Sequence, residues 1–374
     1  MKFRCPREVW VRGISAVQNA VGSPISNPIV ENILVSCENQ KVSFFATNLT
    51  LAIRCERDAD VEEEGSIVLP TKVIIGLVRD LPPGEVTFEC SETDVVIRCG
   101  RFFGKMKGQP GEQFPPFMPS IEGKTWSIPA DMLRSAIRRT IFATSAEKSR
   151  FELDGIKIDF RDGKTFFVAT DGRRLAQVVY DNPDSSINSF GCLVPTKTMA
   201  ELLNSLPEEG EAQIVASERR VLVSCGDLTV ASNLLTDKFP PYEKIIPKDA
   251  QFTAIVPREP FLDMVKRVSD LSDLETSLVI LELDKGSLKV HGERAEVGGR
   301  GEEDLEVEYS GDPMELRYNY RFLIDILRVL DTEKVVIELW DESRPGLIRG
   351  LGMDNYLYVI MPMRRPEEAN VESE

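Results

Sequence analysis

Apolar positions recur in steps of four after three prolines: Pro6, Trp10, Ile14, then Pro129, Leu133, Ile137, then Pro257, Phe261, Val265. Proline presets the first helical φ, and steps of four hold the following residues on one face, so each set predicts an amphipathic helix. A second stripe follows each: Ile74, Leu77, Val78, Leu81, then 125 residues on Met199, Leu202, Leu203, Leu206, then a further 124 on Leu323, Ile326, Leu327, Leu330. One such i, i+3, i+4, i+7 stripe is ordinary core packing. Three in register predict a threefold repeat with two helices per unit.

Between the helical stretches, short alternating runs predict strands, among them 85–88, 95–98, 221–224 and 334–337, with turn residues every eight to twelve positions. That spacing suits antiparallel sheet, and helices packed on sheets make the class α+β. Phe114-Pro115-Pro116-Phe117 returns 125 residues later as Phe239-Pro240-Pro241-Tyr242, and Leu69-Pro70-Thr71-Lys72 returns as Val194-Pro195-Thr196-Lys197. Paired prolines do not sit inside regular elements, so they mark unit ends. The expected division is 1–123, 124–249 and 250–365, with an acidic tail, 366–374, expected to be disordered.

One stretch differs between repeats. Ala169-Thr170-Asp171-Gly172-Arg173-Arg174-Leu175-Ala176 links two strand-like runs through an Asp-Gly turn. A weaker copy, Ala46-Thr47-Asn48 followed by Leu51-Ala52, lies 123–124 residues earlier and lacks the Gly-Arg-Arg insert. One copy of a repeated structure has been specialised.

The net charge of -16 argues against attraction to nucleic acid or anionic membrane driven by overall charge, while leaving room for a local basic stripe. Seven scattered cysteines without C-x-x-C fit reduced thiols in a cytoplasmic protein. No apolar run reaches membrane-spanning length, so no membrane association is expected. The lone histidine, His291, has no visible partners for catalysis or metal binding. Gly100-Arg101-Phe102-Phe103-Gly104-Lys105-Met106 has three residues between its glycines instead of four, and Met where a phosphate loop needs Ser or Thr. No catalytic residue, metal site or cofactor is implied. Basic residues instead gather on the helices: Arg7, Arg12, Lys72, Arg79, Arg134, Arg138, Arg139, Lys148, Arg150, Lys197, Lys266, Arg267, Arg321 and Arg328. A basic helix face is most often simply solvated. On a strongly acidic chain, its recurrence is also the footprint of a phosphate backbone read without sequence preference.

With these residues in hand, the chain resembles the bacterial sliding clamp, the β subunit of DNA polymerase III, over essentially its whole length. The specific motifs are Ala-Thr-Asp-Gly-Arg-Arg-Leu-Ala and the terminal Tyr358-Val359-Ile360-Met361-Pro362-Met363-Arg364. The resemblance implies three repeated clamp units, helices inside and antiparallel sheets outside, closed into a ring by two copies around double-stranded DNA. Helices pack about 10 Å apart, so six in a ring leave a hole of about 9 Å and twelve one of roughly 28 Å. Only the second admits a duplex roughly 20 Å across, which calls for a homodimer joined first unit to third.

The resemblance also implies a non-catalytic processivity factor. Its partners would be the polymerase catalytic subunit, the clamp loader, and other proteins carrying a clamp-binding motif, such as repair polymerases, mismatch-repair proteins and ligase. The implied peptide pocket comprises Leu153, Thr170, Gly172, Arg173, Arg174, Leu175, Pro240, Ile245, Val359, Met361, Pro362 and Met363. An apolar, methionine-rich groove suits varied peptides. A final core strand would explain the same apolar residues, though less well the Met-Pro-Met. The chain departs from its relatives at Arg173, where they often carry His or Tyr. It departs also in the 22–26 loop, which lacks their basic residue, and in its acidic tail. Two rival readings stay open: a repeat-built nuclease or transferase with an unrecognised carboxylate site, and a peptide-binding scaffold that does not engage DNA.

Overall fold

The computed structural model describes residues 1–22, 27–116, 121–145, 153–181, 190–236 and 239–364. Six α-helices fall where the periodicity places them: α1 Arg7–Val17, α2 Thr71–Asp80, α3 Ala130–Thr140, α4 Thr196–Ser205, α5 Arg258–Ser269 and α6 Tyr320–Val329. Pro6, Pro70 and Pro257 stand at the N-cap position of α1, α2 and α5, with φ of -57°, -60° and -60°. The stripe residues Trp10, Ile14, Leu133, Ile137, Phe261 and Val265 are buried. In the second helices Leu77 and Leu203 are half-buried, and the other stripe positions are fully inside. The four expected strand runs lie within Glu85–Ser91, Asp94–Cys99, Arg220–Cys225 and Lys334–Leu339. Among the described residues every strand pairing is antiparallel. The 366–374 tail, Phe117 and most of the 22–26 loop lie outside the described residues.

Contacts gather the chain into two compact units, 1–134 with 197–235, and 135–196 with 236–374. The first holds a five-stranded sheet ordered Asp60–Glu63, Lys2–Pro6, Glu85–Ser91, Asp94–Cys99, Phe102–Lys107. It also holds a nine-stranded sheet whose middle places Leu51–Asp58 beside Leu228–Asn233. The second unit holds an eight-stranded sheet in which Arg174–Asp181 lies beside Tyr356–Ile360, and a four-stranded sheet ending on Gly299–Glu306. Each large sheet therefore unites strands from two successive sequence repeats. Pairing in this way satisfies edges that one repeat alone would leave open.

The helix pairs are tied in the same manner three times. The N–H of Arg7, Ala130 and Arg258, first residues of α1, α3 and α5, donates at 2.9 Å to Gly84 O, Gly210 O and Glu333 O respectively. An arginine from each of these helices then covers the carbonyl end of its companion. Arg7 Nη2 donates to Arg79 O at 2.7 Å, Arg134 Nη1 to Leu203 O at 3.0 Å and Leu206 O at 2.6 Å, and Arg258 Nη1 to Leu327 O at 3.1 Å. A cation on unpaired carbonyls at a helix C-terminus answers both their hydrogen-bonding need and the helix dipole. In the first unit α1 packs through Trp10, whose ring centroid lies 5.7, 5.2 and 5.4 Å from those of Phe3, Phe44 and Phe88. Gly13 is required there, because a Cβ would collide with the Phe44 ring.

Candidate functional site

The specialised turn begins where Lys164–Thr170 ends. Thr170 Oγ1 donates to Arg174 O at 2.6 Å and accepts from Gly172 N–H at 3.0 Å. Asp171 Oδ1 accepts from the N–H groups of Arg173 and Arg174 at 2.9 and 3.0 Å. Gly172 has φ of 86°, a conformation that favours glycine. The turn leaves Arg173 exposed and directs Arg174 inward. There the Arg174 guanidinium meets Asp171 Oδ2 at 3.0 Å, Asp325 Oδ2 at 2.6 Å and Phe142 O at 2.6 Å, and stacks 4.2 Å from the Phe322 ring centroid. Asp325, Phe142 and Phe322 were not singled out in the sequence, and no motif marks them. They come from α6 and from the turn after α3, distant in sequence from residue 174.

Beyond the turn, Leu175 pairs with Val359 across the sheet, and Arg174 with Ile360. Leu175 and Val359 form one cluster with Val168 and Tyr242, against which Phe166, Phe239, Ile246 and Leu357 pack. Met361 N–H donates to Arg173 O at 3.0 Å, which brings the end of the last strand beside the turn. Leu175 and Val359 are 1% and 0% exposed, whereas Met361 is 38% exposed, so the first two form a buried floor and Met361 offers surface. Pro240 is half-buried, Ile245 is exposed, and Leu153 is buried with its carbonyl accepting from Ser145 N–H at 2.8 Å. Met361, Pro362 and Met363 line an open cleft of about 410 Å³ with Glu315, Arg317, Glu342 and Ser343. Proximity thus links Met361 to the turn, while Pro362 and Met363 face residues the sequence did not suggest.

Tyr242 is held by its hydroxyl to Asp159 Oδ2 at 3.2 Å, with the Arg161 guanidinium 5.2 Å from its ring centroid and ion-paired to Glu243. Burial first, and then the Asp159 charge, push the Tyr242 phenol well above its ordinary range, so it remains a neutral donor.

The basic residues divide by what they touch. Arg12, Lys72, Arg79, Lys197, Arg321 and Arg328 are exposed. Arg7 and Arg134 direct their guanidinium groups to helix-end carbonyls and are not free cations. Arg138 and Arg139 share Asp331 at 3.2 and 3.5 Å, Lys266 meets Asp263 at 3.1 Å, and Arg267 meets Glu303 at 2.6 Å. Lys148 and Arg150 lie outside the described residues. His291 faces Glu282 at 3.2 Å. No group of three or more His, Cys, Asp or Glu side chains suited to a metal occurs among the described residues, nor any helix long and apolar enough to cross a membrane.

Repeated helix pairs carried on shared antiparallel sheets, with an arginine-bearing turn beside an apolar floor at one sheet seam, define a three-domain DNA clamp fold. The comparisons agree from residue 1 to residue 364. Descriptions of the DNA polymerase III beta subunit match residues 1–119 for its N-terminal domain, 127–241 for its central domain and 243–364 for its C-terminal domain. A sliding clamp from Bartonella birtlesii, solved bound to griselimycin, is 31% identical with a TM-score of 0.91, covering 98% of this chain and 100% of that one. A sliding clamp from Pseudomonas aeruginosa, also solved bound to griselimycin, is 28% identical with a TM-score of 0.93 over the same shares. The beta sliding clamp of Chlamydia pneumoniae is 29% identical over 97% of this chain and 99% of its own length. The chain belongs to the DNA polymerase III beta subunit family, the bacterial sliding clamps. It is a DNA sliding clamp, a non-catalytic processivity factor that works with DNA and a polymerase.

Proposed function

We propose that two copies join head to tail into a ring around duplex DNA, without sequence preference, and that the Thr170–Leu175 turn with Met361 receives short peptides from replication and repair proteins. What most supports the ring is the character of two open sheet edges. Phe102–Lys107 ends one sheet and carries Lys105, Lys107 and Phe103, the last 56% exposed. Gly299–Glu306 ends another and presents Glu302, Asp304 and Glu306, flanked by exposed Leu271 and Val297. A basic, aromatic edge on one copy suits an acidic, apolar-flanked edge on the next, and pairing them would satisfy both rows of backbone groups. Two such joints close a symmetric dimer.

The pocket reading takes in Leu153, Thr170, Gly172, Arg173, Arg174, Leu175, Pro240, Ile245, Val359, Met361, Pro362 and Met363. The griselimycin-bound relatives support a small-ligand site somewhere on this fold. The polymerase catalytic subunit, the clamp loader, repair polymerases, mismatch-repair proteins and ligase are the proposed users, in the cytoplasm. We take 123 and 249 as the boundaries between repeats. The test is retention on DNA. A ring stays on closed circles and runs off once they are linearised, whereas equal loss from both forms, or a monomer by analytical ultracentrifugation at micromolar concentration, would overturn the reading.

A further inference from the structure

Resting on the reading of the Thr170–Leu175 turn as a partner site, we propose that Gln177 makes that site selective for a segment whose aromatic anchor carries a hydrogen-bond donor, tyrosine in preference to phenylalanine. Gln177 stands two residues beyond Leu175 on the strand Arg174–Asp181, and alternation puts both side chains on one face of the sheet. Across the sheet it lies opposite Val168 on one side and Leu357 on the other. Both belong to the apolar floor with Leu175, Val359 and Tyr242, so an amide stands among apolar neighbours. The side chain is 6% exposed, and its Oε1 is buried without a hydrogen-bond partner. The polar groups of the same site are engaged elsewhere: the Tyr242 hydroxyl donates to Asp159 Oδ2 at 3.2 Å, and the Thr170 hydroxyl donates to Arg174 O at 2.6 Å.

A buried acceptor without a donor is costly, and a fold that keeps one has a use for it. A trapped water answers it poorly, because a water needs two or more polar partners and the side chains of Val168, Leu175, Val179 and Leu357 offer none. The donor therefore comes from outside, and the surroundings say what carries it. Phe166, Phe239, Ile246 and Leu357 keep partial exposure against the floor, so a side chain that reaches Gln177 is walled by aromatic and aliphatic surface. A charged or amide side chain would give up its water there for a single partner, and an aliphatic one brings no donor. A tyrosine ring fills apolar space while its hydroxyl donates to Oε1. A phenylalanine fills the same space and leaves the oxygen unpaired, which is how a built-in polar group rejects an analogue that lacks its partner.

The test uses the full chain and two fluorescein-labelled peptides that differ by one hydroxyl, Gln-Ala-Ala-Leu-Tyr and Gln-Ala-Ala-Leu-Phe, read by anisotropy. The tyrosine peptide should bind the unaltered protein about tenfold more tightly, a difference of roughly 1.4 kcal/mol. Gln177→Leu removes the acceptor and should bring the two peptides within about twofold of each other. Without ligand it should also raise Tm, because an unpaired buried polar group is gone. Gln177→Met keeps the unbranched shape and carries the test should leucine fit badly. Met361→Ala should weaken both peptides and leave the tyrosine preference in place. Equal affinities in the unaltered protein, or a preference that persists in Gln177→Leu and Gln177→Met, would overturn the selectivity while leaving the partner site standing. A fall in Tm in both Gln177 variants would overturn it too, since the amide would then be satisfied within the fold. A Gln177-dependent preference indifferent to Met361→Ala would keep the selectivity and overturn the role given to Met361. No binding of either peptide would overturn both the site and its selectivity.

Discussion

Arg174 Nη1 lies 2.6 Å from Asp325 Oδ2, with the Arg174 side chain only a tenth exposed. The same group also reaches Asp171 and the carbonyl of Phe142, so it fastens the turn to α6 and to the residues after α3. Lysine keeps the charge but not the planar fork. Arg174→Lys is expected to destabilise folding by about 2–3 kcal/mol, since it leaves Asp171 and Phe142 O short of donors in a half-buried place. Urea unfolding measures this, and equal midpoints for the two proteins would contradict it.

Leu175 and Met361 touch the proposed peptide site in different ways. Leu175 is floor, so Leu175→Ala should cost about 2–4 kcal/mol of folding stability through the cavity it leaves, together with lost peptide affinity. Met361 is partly exposed, so Met361→Ala should leave Tm nearly unchanged and weaken the peptide by about 1–2 kcal/mol. Thermal unfolding and peptide anisotropy on the same samples separate the two effects. A Met361→Ala protein that loses Tm but not affinity would show Met361 to be a core residue.

Asp331 draws on both Arg138 and Arg139; Arg138 and Asp331 stand at the surface, while the Arg139 side chain is mostly buried. Cations already matched by protein carboxylates release fewer counterions on meeting phosphate. Asp331→Asn is expected to raise retention on circular DNA and steepen the log–log salt dependence by about one unit for each arginine freed, while Arg138→Ala with Arg139→Ala flattens it. The effects should be alike on unrelated DNA sequences. A sequence-selective change would argue against backbone contact.

Arg258 hydrogen-bonds Thr332 O through Nε at 2.8 Å and Leu327 O through Nη1 at 3.1 Å, closing the end of α6. Arg258→Ala should cost about 1–4 kcal/mol, the sum of two hydrogen bonds at about 0.5–1.5 kcal/mol each and a dipole interaction of about 0.3–1 kcal/mol. Arg7→Ala and Arg134→Ala should behave alike, because the tie recurs in each helix pair. Denaturant melts of the three variants provide the measurement.

Burial pushes the Cys5 thiol up to about 12 and the Cys37 thiol up to about 11. A thiol whose folded pKa is raised favours the folded state fully below its unfolded value of about 8.5 and loses that contribution as pH climbs through the folded value. Stability should therefore decline from about pH 8.5 toward pH 11–12. Both thiols should resist iodoacetamide in the folded protein at pH 8 and react on unfolding. Tm against pH and mass-spectrometric mapping of alkylation check the two statements, and rapid native alkylation of Cys5 would contradict the burial.

The amino-acid order by itself determined the local elements of this protein. Proline at the head of α1, α2 and α5 and apolar steps of three and four set where helices form, and alternation set the strands. These are short-range effects of backbone sterics and of one buried face per element. Asp171-Gly172 likewise specified its turn through its own side chain and a left-handed glycine. Tertiary structure alone decided the partners. That Arg174 meets Asp325, that Leu175 lies against Val359, and that Arg7 and Arg134 cover helix ends, with Arg138 facing Asp331, are outcomes of pairing between segments 69 to 193 residues apart. A basic residue on a helix looks the same in sequence whether it faces phosphate, a carboxylate or a carbonyl. The choice is made by which strand edges meet, because sheet pairing across repeats sets which faces come together.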